Sequence, residues 1–169
     1  NNVYTTGSFQ GTADFDPNGG VENLTSAGAQ DAFLSKLTAT GNFLWARHLG
    51  GSAADLGSAI DTDSAHSVLV AGSFQNTVDF DPGVGTSSVT SHGGQDAFVW
   101  KLDSSGTFVW ASTLGGADTD VGNAVTVDAT NNVYAAGNFQ NAVDFDPSAS
   151  VASLTSVGSS DVYMWKLNS

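Results

Sequence analysis

The sequence predicts an all-β protein built from repeated four-stranded sheets. Three observations carry that expectation. A unit of 65 residues recurs along the chain, apolar and polar residues alternate inside it, and Gly, Asn, Asp and Ser interrupt the alternation at short intervals. No segment sustains a helical period.

The repeat is explicit. Gly-Ser-Phe-Gln at 7–10 returns at 72–75, and as Gly-Asn-Phe-Gln at 137–140. Asp-Phe-Asp-Pro occupies 14–17, 79–82 and 144–147. Gln-Asp-Ala-Phe at 30–33 returns at 95–98, and as Ser-Asp-Val-Tyr at 160–163. Between 1–39, 66–104 and 131–169, 14 of 39 positions are identical in all three copies. The copies run 1–65, 66–130 and 131–169, the last incomplete, so the 169 residues form one segment of about 2.6 repeats. The chain is 26 residues short of three units and starts abruptly at Asn1. The expectation is a stretch of a longer array, or one whose terminal units another chain completes.

Each element follows from local pattern. Ala124 to Asp128 alternates with period two and meets the turn pair Asn131-Asn132, after which Val133 to Phe139 runs as a second strand. Ile60-Asp61 and Val68 to Val70 repeat this one unit earlier. Asp96 to Leu102 sets Phe98, Trp100 and Leu102 on one face of a third strand. Asp103-Ser104-Ser105-Gly106 is a hairpin turn, and Thr107 to Leu114 is the fourth strand, with Gly115-Gly116 closing the unit. A single four-stranded sheet cannot cover both of its apolar faces. Units stacked side by side can, which is the logic of a β-propeller. A β-solenoid is the rival, but its coils are usually shorter and need no four turn-bounded strands. In blade order, 122–128 would be innermost and 107–114 outermost.

Two strings carry a family resemblance. Gly-Asn-Ala-Val-Thr-Val-Asp-Ala-Thr-Asn-Asn-Val-Tyr-Ala-Ala-Gly at 122–137 and Asp-Ala-Phe-Val-Trp-Lys-Leu-Asp-Ser-Ser-Gly-Thr-Phe-Val-Trp-Ala-Ser-Thr-Leu-Gly-Gly at 96–116 resemble the bacterial SBBP-type β-propeller repeat. The resemblance covers essentially the whole chain. It implies blades of four antiparallel strands in long secreted or surface-attached proteins, with no enzyme activity and no catalytic residues. The departure is the insert from Gln75 to Gln95 with its Asp-Phe-Asp-Pro core, which lengthens the connection between second and third strands.

That motif is the main candidate for chemistry. Asp14 and Asp16, Asp79 and Asp81, and Asp144 and Asp146 are two apart, which in extended backbone sets both carboxylates on one side and Phe15, Phe80 or Phe145 on the other. Paired hard oxygens on a turn can begin a Ca²⁺ site. Gly83, Thr90, Ser91 and backbone carbonyls lie nearby, and Asp31, Asp96 or Asp161 could add a carboxylate if the insert folds back. The structural alternative is a turn in which Asp caps backbone N–H groups and Phe plugs the blade. Asp31, Asp96 and Asp161 open every third strand and read as turn caps. Lys36, Lys101 and Lys166 share one repeat position, where a salt bridge with the stem on the sheet is expected.

The remaining features are bland. His48, His66 and His92 fall at three different repeat positions, without metal spacing. Phe43, Trp45, Trp100, Phe108, Trp110 and Trp165 read as core between blades, although an exposed Trp would suit sugar stacking. The sequon Asn23-Leu24-Thr25 does not recur. Gly50-Gly51 and Gly115-Gly116 are turn glycines with no phosphate-loop lysine.

Composition narrows the function classes. Seventeen acidic and four basic residues give a net charge of −13, which cannot form a nucleic-acid footprint. Absence of Cys excludes disulfides, zinc-thiolate sites and a thiol nucleophile. No apolar run reaches the ~20 residues of a membrane helix. The excess of acid suggests a high-salt habitat only weakly, because 12% of residues are charged. The sequence therefore points to a non-catalytic extracellular or cell-surface propeller acting as scaffold, adhesion or surface-assembly material. It is expected to self-associate or continue into further repeats, with Ca²⁺ as a candidate stabiliser. A lectin-like or peptide-binding module using the insert loops is the alternative. A propeller hydrolase or lyase would need converging non-equivalent residues that the repeats do not supply.

Overall fold

The computed structural model describes residues 2–146 and 151–168; Pro147, the last residue of the third Asp-Phe-Asp-Pro, lies outside them. Among the described residues, every regular element is a strand. The first unit gives β1 (Val3–Phe9), β2 (Thr12–Asp14), β3 (Asn23–Thr25), β4 (Asp31–Leu37) and β5 (Phe43–Leu49). Next come β6 (Leu56–Thr62), β7 (Val68–Phe74), β8 (Thr77–Asp79), β9 (Ser88–Thr90), β10 (Asp96–Leu102) and β11 (Phe108–Leu114). The last stretch gives β12 (Val121–Val127), β13 (Val133–Phe139), β14 (Ala142–Asp144), β15 (Ser153–Thr155) and β16 (Asp161–Leu167).

These strands build three antiparallel blades. The middle blade is four-stranded in the order β11-β10-β7-β6, as the repeat predicts. The first holds β1-β4-β5, equivalent to second, third and fourth strands, and the third holds β12-β13-β16, equivalent to first, second and third. Registers recur too: Lys36 faces Trp45 across β4 and β5, and Lys101 faces Trp110 across β10 and β11. The innermost strands carry matching bulges at Gly57/Ala59 and Gly122/Ala124.

One feature exceeds the expectation. The insert between second and third strands is not a plain loop but a two-stranded ribbon in each unit, β2-β3, β8-β9 and β14-β15. The ribbon is tied at its base by paired threonines, Thr12 with Thr25 at 2.8 Å and Thr77 with Thr90 at 2.6 Å.

The core lies between blades. One cluster joins Ala32, Leu34, Trp45 and Leu49 of the first blade to Val68, Val70, Phe74, Phe98, Trp100 and Leu102 of the second. Another joins Leu69, Ala71, Ala97, Val99 and Leu114 to Val133, Phe139, Tyr163, Trp165 and Leu167 of the third. Alternation on β7 and β10 sends successive side chains to opposite junctions, so both strands are buried along their whole length. Each fully buried aliphatic side chain stabilises by ~1.5–3 kcal/mol relative to exposure, so the middle blade owes much of its stability to its two neighbours.

Candidate functional site

Recurrent polar residues are the natural candidates for chemistry, and the structure shows where each side chain is engaged. In the ribbons, the first Asp closes the loop. Asp14 Oδ1 accepts the N–H groups of Asp16 (3.0 Å) and Glu22 (2.8 Å). Asp79 Oδ1 accepts those of Asp81 (3.0 Å) and Ser87 (2.7 Å), and Asp144 Oδ1 those of Asp146 (3.0 Å) and Ala152 (2.8 Å). The second Asp repeats the device: Asp16 Oδ1 accepts from Asn18 N–H and Asp81 Oδ1 from Gly83 N–H, both at 2.8 Å. The Glu22 and Asp16 N–H groups hold the Asp14 carboxyl below its usual range. Between the two carboxylates the Phe turns inward. The Phe80 ring centroid lies 5.3 Å from Phe74 and 5.6 Å from Phe98, and Phe15 and Phe145 sit in equivalent aromatic groups. Among the described residues, no group of three or more His, Cys, Asp or Glu side chains is arranged to hold a metal ion.

The blade junctions gather a second set. Asp31 and Asp96 are fully buried. Their Oδ2 atoms accept the N–H groups of Ala27 (3.0 Å) and His92 (3.1 Å), and half-buried Asp161 accepts from Val157 (2.8 Å), so the expected caps are present. Opposite them stand two aspartates that local pattern did not single out, Asp55 and Asp120, also fully buried. Asp55 accepts the N–H groups of Gly51 (2.8 Å) and Gln75 (3.0 Å), and its own N–H donates to the Gln30 carbonyl at 2.8 Å. Asp120 repeats all three bonds with Gly116, Gln140 and Gln95. A single aspartate, through its carboxylate and its own N–H, thus fastens the crossover to both blades. The signal was available: Gly-Gly-x-x-x-Asp-x-Gly recurs at 50–57 and 115–122, in the part of the unit absent from the third copy. Burial first, and the neighbouring Asp31 charge, push Asp55 up to about 6. A β-carbon added at Gly50 or Gly115 would fall on the Asp31 or Asp96 carboxyl, so glycine is required there.

The three lysines diverge. Lys101 pairs with buried Asp63 at 3.0 Å, as a salt bridge at this position requires. Lys36 instead donates to the Ser104 carbonyl of the next blade at 2.6 Å, with its ammonium 5.3 Å from the Tyr4 ring centroid. Lys166 lies 5.7 Å from the Tyr134 ring. Around the Lys36 contact, Trp45 Nε1 donates to the Ser104 carbonyl (3.3 Å) and Arg47 Nε to that of Gly106 (3.1 Å). Gly106 has φ of +82° and lies flat against the Trp45 ring, so the 103–106 turn docks on the first blade. Trp45, Trp100 and Trp165 are all buried in the junctions rather than presented as sugar platforms.

Two clefts remain open beside the ribbons. The first, about 460 Å³, lies between the first blade's outer strand and the second ribbon, and is lined by Arg47, His48, Glu22, Asp79 and Asp81. The second, about 510 Å³, is its counterpart one unit later, with Asp144 and Asp146 replacing Asp79 and Asp81. Lining carboxylates, backbone N–H and carbonyl groups suit a polar ligand; the recurrent side chains hold turns rather than face a reacting centre.

Blade, ribbon and junction together define a propeller-type repeat. No family model matches the chain. It is 30% identical over 139 residues to an uncharacterised WD repeat-containing protein of Acanthamoeba polyphaga mimivirus, a match covering 75% of this chain and 10% of that protein. The chain therefore spans about a tenth of that relative's length. The likeness agrees with a repeat propeller.

Proposed function

We propose that this chain is a stretch of a non-catalytic β-propeller repeat protein of SBBP type, acting outside the cell or on its surface as scaffold, adhesion or assembly material. One observation carries the reading: the polar side chains that recur from unit to unit are engaged in turns and blade junctions, so what the repeat preserves is a stackable fold. Protein interaction is the matching activity, in keeping with the WD repeats in the relative's name. The extracellular placement rests on the SBBP resemblance of 96–116 and 122–137.

Further repeats, from this polypeptide or a second copy, are the partners the fold favours. Val162 and Met164 are 76% and 78% exposed, whereas Ala97 and Val99, their counterparts one unit earlier, are buried under the next blade. A stabilising Ca²⁺ would sit at a ribbon turn, on the carboxylates of Asp14 and Asp16, of Asp79 and Asp81, or of Asp144 and Asp146. A higher melting temperature in millimolar Ca²⁺ than in EDTA supports it, and identical values remove it.

The two recurrent clefts favour a second reading, a polar glycan or peptide ligand. Binding of the intact chain to secreted-protein and glycan arrays, with surface fractionation of producing cells, tests both. Surface recovery with protein ligands supports the scaffold. Glycan binding lost on Asp81→Ala favours the cleft. Turnover of a substrate defeats both.

A further inference from the structure

Each complete blade junction encloses two aspartates whose chemistry a scaffold does not require. At the first they are Asp31 and Asp55, and at the second Asp96 and Asp120. All four are fully buried in a chain of net charge −13. The ion pairs of the described residues bring no Lys or Arg to any of them. Asp55 and Asp120 have both oxygens on backbone N–H groups. Asp31 and Asp96 do not: the Oδ1 atom of each is buried without a hydrogen-bond partner. A buried acceptor left in that state is costly, and a buried like-charged pair is costlier.

Other titratable groups face the pairs. His48 Nε2 lies 3.7 Å from Asp31 Oδ2, and His92 Nδ1 lies 3.0 Å from Asp96 Oδ2. These histidines occupy different repeat positions, on β5 and on the loop before β10, yet reach equivalent carboxylates. Asp118 is a further acidic neighbour of Asp120.

We propose that the buried pair at the first junction holds a proton at Oδ1 of Asp31, and that blade stacking tightens there on acidification. A proton there converts an orphan acceptor into a donor and removes one of two repelling charges. Asp55 is pushed up to about 6 by burial and then by Asp31; burial also raises Asp31 and Asp120. The proton belongs to the pair rather than to either member. Because the folded chain binds it more tightly than the unfolded chain, stability rises as pH falls through about 6 and is lost as pH rises through that value.

Asp31→Asn tests the assignment. The amide keeps an acceptor for the Ala27 N–H and places a donor where the orphan oxygen stands. The variant is expected to melt above the wild type at about pH 7.5 and to lose the wild-type gain on going to about pH 5. A lower melting temperature at neutral pH with the wild-type pH slope retained overturns the proposal. Carboxyl ¹³C NMR of the unaltered chain gives a readout independent of variant folding. One titration of the Asp31 and Asp55 pair near pH 6 is expected, surviving His48→Gln; every Asp carboxyl titrating below about pH 5 overturns it.

Discussion

Replacing Trp100 by alanine asks whether side chains reaching between blades hold the chain together. The indole is 1% exposed, sits in the first junction with Leu34, Trp45 and Phe98, and donates from Nε1 to the Phe80 carbonyl at 2.7 Å. A buried aromatic of this size covers ~150–250 Å², which at ~25 cal/mol per Å² is about 4–6 kcal/mol. Measured Trp→Ala costs run ~3–5 kcal/mol, and an orphaned buried carbonyl adds ~1–3 kcal/mol. The expected loss is therefore at least ~4 kcal/mol, a large share of the ~5–15 kcal/mol of a typical domain. Trp100→Phe separates the terms: it keeps most of the ring and gives up the hydrogen bond, for ~1–3 kcal/mol. Urea unfolding followed by far-ultraviolet circular dichroism is the assay, since the substitution alters fluorescence. Ser35 holds the same repeat position in the first blade, so the sheet itself does not demand Trp. A Trp100→Ala cost under ~1 kcal/mol, with an unchanged urea slope, would refute the reasoning.

Two further outcomes follow from buried aspartates. Gly115→Ala drives a methyl into the buried Asp96 carboxyl and is expected to cost at least ~2 kcal/mol, read from thermal melting, whereas Gly19→Ala, with open space around it, is expected to be near neutral. Lys101→Met strands Asp63, whose side chain is 4% exposed, and is expected to cost ~3 kcal/mol in urea unfolding. Burial opposes ionisation of Asp63, but the Lys101 ammonium and the Ser67 and Ala65 N–H groups together hold its carboxyl below the usual range. Its contribution is present above pH ~4 and fades as pH falls below that. That sign is opposite to the one expected of the Asp31 and Asp55 pair.

Legibility in the sequence depended on how local each cause was. Strands such as Asp96–Leu102 were readable because a seven-residue alternation is visible without neighbours. The Asp-Phe-Asp turn was readable because its caps act two residues away, as Asp79 does on Asp81. The ribbons were not, since three-residue strands such as Thr77–Asp79 are too short to register a period. Lys36 was read toward a nearby Asp, yet its partner is a carbonyl 68 residues along. Asp55 was not singled out, because its task lies in the meeting of Gly51, Gln75 and Gln30, which are far apart in sequence. His48 and His92 were read as incidental because their spacing carries no pattern; the fold brings both to junction carboxylates.

Native-state hydrogen exchange tests most directly that neighbouring blades stabilise one another. The amides of β7 and β10, buried against both neighbours, are expected to exchange slowest, with β1 and β16 opening well before them. Uniform protection across all three blades, or a middle blade that exchanges first, would contradict the account.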